Sequence, residues 1–319
     1  MRFSEHVKLT PRAVAETFAS TQTFLALPKS LRRIFIIASG SSYSQGVYLA
    51  QLFFDYLPWQ VVCENPYSFV RHSTFRSSDI CIHISQEGRR NDNICPLKFA
   101  KDRGGHTIFM TSKPSSPAAT YADEVYFFTP ETEKVLVASA SYVAGYALML
   151  KYVNAQLVHR TMKSIPYSLS EIVESISANI IKKYSPADEY VVYLYAGYAR
   201  STALEGALKA NECFLTDSEA YELKHYSHGK HFISWNRPRT FNVLYTDKDQ
   251  DLVDKYRSTI FEPHHQVNLM KSGLPQEMAV FEWAASMLAF TVQSMAKKNI
   301  ELGDIQIRDK IVKPHQFTY

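Results

Sequence analysis

Cysteine is scarce: Cys63, Cys81, Cys95 and Cys213 are the only four in 319 residues, and no two form a C-x-x-C pair. A disulfide scaffold is excluded, and the four read as reduced thiols of the core. No apolar run reaches the roughly 18 residues that a membrane span requires. An apolar signal core is also missing, because Arg2, Phe3, Ser4, Glu5 and His6 lead into a polar segment, and the expected location is cytoplasmic. Nor is there a large charge of one sign. Lys and Arg total 35 against 31 Asp and Glu, a net +4 spread along the chain, which argues against a dedicated nucleic-acid binder. What remains is an ordinary folded composition, 46% hydrophobic and 21% charged, which excludes wholesale disorder and a collagen-like chain. At roughly 150 residues per domain, the length predicts about two globular units.

The two halves read alike. Arg33 to Ile37 is an apolar run that passes through Ala38 into Ser39-Gly40-Ser41-Ser42, and Tyr43 to Tyr56 follows with helical spacing. Tyr190 to Tyr195 repeats that design, ending in Ala196-Gly197 and leading into a helical segment from Ser201 to Phe214. A strand buried on both faces and followed by a crossover helix is the unit of a parallel sheet. Further strands are predicted at 80–84, 107–110 and 124–128, with a helix from Asn93 to Lys101 stopped by Gly104-Gly105. Their counterparts in the second half are 240–245 and 266–270, and long apolar helices from Val137 to Val158 and from Phe281 to Met295 close the halves. One helix, Pro11 to Leu27, precedes the first strand, and the polar stretch from Ile181 to Asp188 reads as the seam. The expected fold is α/β, two doubly wound, flavodoxin-like parallel sheets in tandem.

Ligands of such sheets bind at the carboxyl ends of strands, near helix N-termini whose free N–H groups favour anions. Two turns fit that place: Ser39-Gly40-Ser41-Ser42, and Ser85-Gln86-Glu87-Gly88-Arg89-Arg90 after the strand at 80–84. Either one alone reads equally as a capped turn, since Ser and Gly are common turn residues. In the second half Glu205, Lys209 and Glu212 stand at i, i+4 and i+7, which puts two carboxylates and an ammonium on one helical face. A solvated salt-bridge stripe has the same spacing. Here Ala203, Leu204, Ala207 and Leu208 interleave, so the helix is otherwise apolar and its charges must be paired or used. His225, His228 and His231 recur every third residue, but Gly229 interrupts them, and one histidine acting as acid or base is the preferred reading over a metal site.

These residues resemble the double SIS (sugar isomerase) domain proteins, in particular the isomerase half of glucosamine-6-phosphate synthase and related phosphosugar isomerases and deglycases. The most specific match runs from Ala203-Leu204-Glu205-Gly206-Ala207-Leu208-Lys209 through Glu212 and Glu219-Ala220-Tyr221 to His228-Gly229. Ser39-Gly40-Ser41-Ser42-Tyr43, Ile84-Ser85-Gln86 and Val137-Ala138-Ser139 match more weakly. The resemblance divides the chain into an N-terminal helical segment (1–30), a first SIS domain (31–165) and a second with a C-terminal tail (166–319). It implies aldose–ketose chemistry on a sugar phosphate or related derivative, with no cofactor and no metal. Glu212 would carry a proton between C1 and C2, Glu205 and Lys209 would position it and hold the sugar, and His228 would open the ring. His225 is the rival histidine, reached by a three-residue gap. The two loops and Ser139 would bind substrate and its phosphate. In the family the histidine comes from the neighbouring subunit, which implies a homodimer with shared active sites, and a C-terminal lysine falls on Lys310 or Lys313.

Two departures qualify that picture. Residue 2 is Arg where a glutaminase domain carries its cysteine nucleophile, so the expectation is an enzyme without that domain, with nitrogen added, removed or absent. The anion loop has Glu87 where the family has serine. A carboxylate about 4 Å from a phosphate charge costs on the order of 4 kcal/mol at an effective dielectric near 20. Glu87 must therefore point away, be compensated by Arg89 or Arg90, or face a substrate other than a plain hexose 6-phosphate. The alternative function is a non-catalytic SIS module that senses a carbohydrate derivative. Retention of Glu205, Lys209, Glu212 and His228 beside an altered loop favours the enzyme.

Overall fold

The computed structural model describes residues 2–28, 31, 33–130, 137–187 and 189–302. Among these, 12–130 and 140–167 form one compact unit, and 2–11, 137–139 and 168–302 form another. The polar stretch at 181–187 therefore lies inside the second unit, after a helix at Leu169–Ile180, and is not the seam between the units. Among the described residues no helix is long and apolar enough to cross a membrane.

Two short helices open the chain, α1 (Phe3–Val7) and α2 (Thr10–Ala19), in place of the single helix expected from Pro11 to Leu27. The Lys151 ammonium stops α2 early, donating to the carbonyls of Thr17, Phe18 and Ser20 at 2.7–3.0 Å. The first sheet contains β1 (Arg33–Ile37), β2 (Gln60–Glu64), β3 (Ile80–Ile84), β4 (His106–Thr111) and β5 (Glu124–Phe127), all parallel, in the order β2-β1-β3-β4-β5. Its helices are α3 (Ser41–Tyr56), α4 (Pro66–His72), α5 (Asn91–Asp102) and α6 (Ala140–His159). Every residue of β3 is buried, His83 among the apolar residues included, as a strand covered on both faces requires. One face of the sheet buries Phe35, Phe69, Phe75, Leu97 and Phe109 together. Elsewhere α3 packs on α6, where the buried Gln45 amide donates to the Tyr142 carbonyl at 2.8 Å.

Among the described residues the second sheet has four parallel strands. After α7 (Leu169–Ile180) come β6 (Tyr190–Tyr195), α8 (Ala199–Cys213), β7 (Asp217–Glu222), the short α9 (Leu223–Tyr226) and α10 (His231–Ser234), and β8 (Thr240–Tyr245). Then α11 (Gln250–Thr259), β9 (Gln266–Lys271) and α12 (Gln276–Lys297) complete it, in the order β7-β6-β8-β9. In each sheet the chain reverses its winding direction beside the first strand, between β1 and β3 and between β6 and β8. That reversal opens the crevice in which doubly wound sheets bind ligands.

Candidate functional site

In the first-sheet unit, both predicted anion loops leave strands that flank the reversal point. β1 ends at Ile37, and Ser39 and Gly40 turn the chain into α3 at Ser41. Gly40 has φ +57, and a Cβ there would meet nothing within 4 Å, so the glycine serves the turn and not a crowded contact. The second loop is pinned more firmly. The Gln86 carbonyl accepts from the Thr111 and Ser112 hydroxyls at 3.0 and 3.1 Å, and the Gly88 carbonyl accepts from the Ala118 N–H at 3.0 Å. Ser85 is buried and its hydroxyl oxygen accepts from the Gly88 N–H at 3.2 Å. Gly88 has φ +59, and a Cβ there would lie 2.3 Å from the Ser116 hydroxyl oxygen, so no other residue fits.

Under these loops lies His83, fully buried on β3 and stacked on Phe109. Its Nδ1–H donates to the Ile37 carbonyl at 2.9 Å, tying the two strand ends together. Burial pushes its pKa down to about 4, so the ring is neutral.

Glu87 is half-exposed, and the cation beside it is Lys113, whose Nζ lies 3.2 Å from Oε1. Lys113 follows β4, not the loop itself, and its side chain is only 14% exposed. Arg89 and Arg90, whose compensation of Glu87 is one of the three alternatives the sequence leaves open, are exposed at the entrance of α5.

In the second-sheet unit, α8 carries a graded row of charge. Glu205 and Lys209 are fully buried with 2.5 Å between Oε1 and Nζ, and Glu212, 3.4 Å from the same Nζ, is 40% exposed. Helical spacing sets the row, and tight packing against β6 holds it. A Cβ on Gly206 would lie 2.3 Å from the buried Tyr193 ring, so only glycine lets α8 approach so closely. Gly206→Ala should cost about 1–3 kcal/mol, read as a lowered unfolding midpoint. A change within about 0.5 kcal/mol would show that the ring yields freely. Burial would lower the Lys209 pKa, but the charges of Glu205 and Glu212 outweigh it and raise the pKa above the ordinary lysine value. Burial likewise pushes the nearby Cys213 thiol up to about 12, which leaves it unreactive. The row thus presents one carboxylate outward, backed by an ammonium whose other carboxylate is enclosed.

Residues 29–158 match the family model described as SIS domain. Over 214 residues the chain is 27% identical to human glutamine–fructose-6-phosphate aminotransferase [isomerizing] 2, covering 61% of this chain and 31% of that protein. Over 257 residues it is 28% identical to the glutamine–fructose-6-phosphate aminotransferase [isomerizing] of Caldanaerobacter subterraneus, covering 73% of this chain and 40% of the relative. The chain thus spans less than half the length of these curated relatives. Among solved structures, it superposes on glucosamine-6-phosphate deaminase from Thermotoga maritima with a TM-score of 0.79 at 16% identity, covering 97% and 99% of the two chains. The C-terminal domain of glucosamine-fructose-6-phosphate aminotransferase from Francisella tularensis gives 0.77 at 15% identity, covering 93% and 96%. These two likenesses concern the fold.

Within the SIS match, the structure brings Ser39, Gly40, Ser41 and Ser42 to one strand end and Ser85 to Arg90 to the adjacent one. Ser139 is fully buried just before α6, and its hydroxyl is 2.9 Å from Nδ1 of the buried His6, a pairing no local pattern announces. His228 is exposed in the turn between α9 and α10, and its N–H donates to the His225 carbonyl at 3.0 Å. That turn separates His225 from His231, so the three histidines do not line one helix. Among the described residues no cluster of His, Cys, Asp or Glu is arranged to hold a metal. Lys310 and Lys313 lie outside the described residues. Sequence reasoning missed Lys113 and His83. The histidine was visible as the one polar residue in an apolar strand, but Lys113 carried no signal.

Proposed function

We propose that this chain is an isomerase-type enzyme acting on a sugar phosphate or a close sugar derivative, its second sheet a second SIS-type half. The observation that carries the reading is the graded row on α8, because two enclosed charges are costly unless they serve the third. Proton transfer beside a carbonyl needs one base that removes the C–H proton and returns it to the neighbouring carbon. Glu212 takes that role, moving the proton between C1 and C2 through an enediol, with no net oxidation. Lys209 and Glu205 fix its position, and Lys209 offers positive charge to the oxygen that becomes enediolate. His228 opens the sugar ring, from the neighbouring subunit of a homodimer. The loops at Ser39–Ser42 and Ser85–Arg90 hold the anionic group. The relatives' names, an isomerizing aminotransferase and a deaminase, support coupling of the same transfer to gain or loss of nitrogen, and deglycation belongs to the same chemistry.

A thermal-shift comparison of fructose 6-phosphate with fructose, in phosphate-free buffer, tests the binding half. Ligand at 100 times its dissociation constant adds about 2.7 kcal/mol of stability. The expected result is a shift with the phosphate ester and none with the free sugar. Equal shifts, or none, would remove the anion-binding role from the loops.

A further inference from the structure

We propose that Lys113 is a specificity-determining residue of the anion loop, acting through Glu87. Its ammonium cancels the loop carboxylate that would otherwise repel a phosphate monoester. The inference rests on the functional reading above.

The backbone leaves Glu87 little choice of place. Gln86 before it is held by the Thr111 and Ser112 hydroxyls, and Gly88 after it is fixed at φ +59 against Ser116. The segment that holds the loop also supplies the cation. The Lys113 N–H donates to the Thr111 hydroxyl at 3.0 Å, and its side chain runs back to Glu87 with Nζ 3.2 Å from Oε1. Lys113 is the more enclosed partner, at 14% exposure against 53% for Glu87. Solvent therefore screens its charge less than that of the carboxylate.

The charge balance of the loop turns on this residue. Glu87, Arg89, Arg90 and Asp92 sum to zero, and Lys113 gives the group one net positive charge. With the Glu87 carboxylate cancelled, Asp92 is the one acidic charge of the group left against the two arginines and the amides of the loop. A serine at position 87, as in the resembling family, needs no such partner. Glu87 and Lys113 together are this chain's replacement for it. A substrate carrying an ammonium that pairs with Glu87 would make the opposite demand, because it would bind best with the carboxylate unpaired.

The experiment titrates fructose 6-phosphate into the full chain, the K113M and E87Q variants, and the E87Q/K113M double variant, each checked for an unchanged unfolding midpoint without ligand. Lys113→Met is expected to weaken binding on the order of tenfold or more. Glu87→Gln alone should bind as tightly as the parent or more tightly. The double variant should recover most of the loss, which a merely structural lysine would not allow. Binding by K113M within about twofold of the parent, or a double variant as weak as K113M, overturns the proposal while the loop's role stands. Weaker binding by E87Q overturns it in favour of a direct contact from Glu87. A parent protein that binds no fructose 6-phosphate removes the anion-binding role from the loops, and the proposal with it, before any substitution is compared.

Discussion

Glu212→Gln is expected to fold as the parent does and to lose turnover by roughly 100- to 10,000-fold, the usual worth of a positioned general base. The substitution keeps shape and hydrogen-bonding capacity, and the position is 40% exposed, so no cavity and no buried polar group results. Lys209 keeps its closer partner, Glu205, at 2.5 Å, so the enclosed part of the row is not disturbed. The loss should therefore fall on kcat and leave KM nearly unchanged, as for an interaction made only in the transition state. The cleanest readout is exchange of the C1 and C2 protons of a hexose 6-phosphate with deuterated water, followed by proton NMR. That exchange reports the enediol step whether or not nitrogen is transferred. Exchange in the variant within a few-fold of the parent would move the base elsewhere, His228 being the next group to test.

The parts of this molecule that a reader of the sequence finds are those set by local geometry. β3 announces itself because Ile80, Cys81, Ile82 and Ile84 leave only His83 polar, and a strand buried on both faces must read that way. Glu205, Lys209 and Glu212 are legible as a row because helical pitch alone puts them in line. β2 and β7 were not legible. Both are edge strands, paired on one side and half-exposed, so the apolar stretch is short in each, Val61-Val62-Cys63 in the first and Ala220-Tyr221 in the second. The helices followed the same rule: α6 and α12 were found with displaced ends, whereas α2 stops early through Lys151, a residue far along the chain. The fate of Glu87 was least legible. Its partner stands 26 residues away and meets it only because β3 and β4 are neighbours in the sheet. The adjacent Arg89 and Arg90 were one of three alternatives the sequence left open, and Lys113 was not among them.

Lys209→Met should be among the most destabilising single changes in the chain, costing about 3–5 kcal/mol, because it strands the fully buried Glu205 carboxylate without its ammonium. For a unit of this size that is a fall in unfolding midpoint of roughly 6 to 20 °C. The double change Glu205→Gln with Lys209→Met should cost much less, since two neutral side chains of similar volume replace the pair. The pH behaviour follows from the direction of the lysine shift. The folded-state pKa of Lys209 is raised by Glu205 and Glu212 against the effect of burial. Its contribution is therefore complete below the unfolded lysine value of about 10.4 and is lost only as the pH rises through the higher folded value. The gap between parent and Lys209→Met should accordingly stay constant between about pH 6 and 9 as far as the lysine is concerned. A loss below about 1 kcal/mol, or no recovery in the double variant, would mean that the pair is not the enclosed support of Glu212. The row would then be an ordinary salt-bridge stripe, with no reason to select the helix for proton transfer.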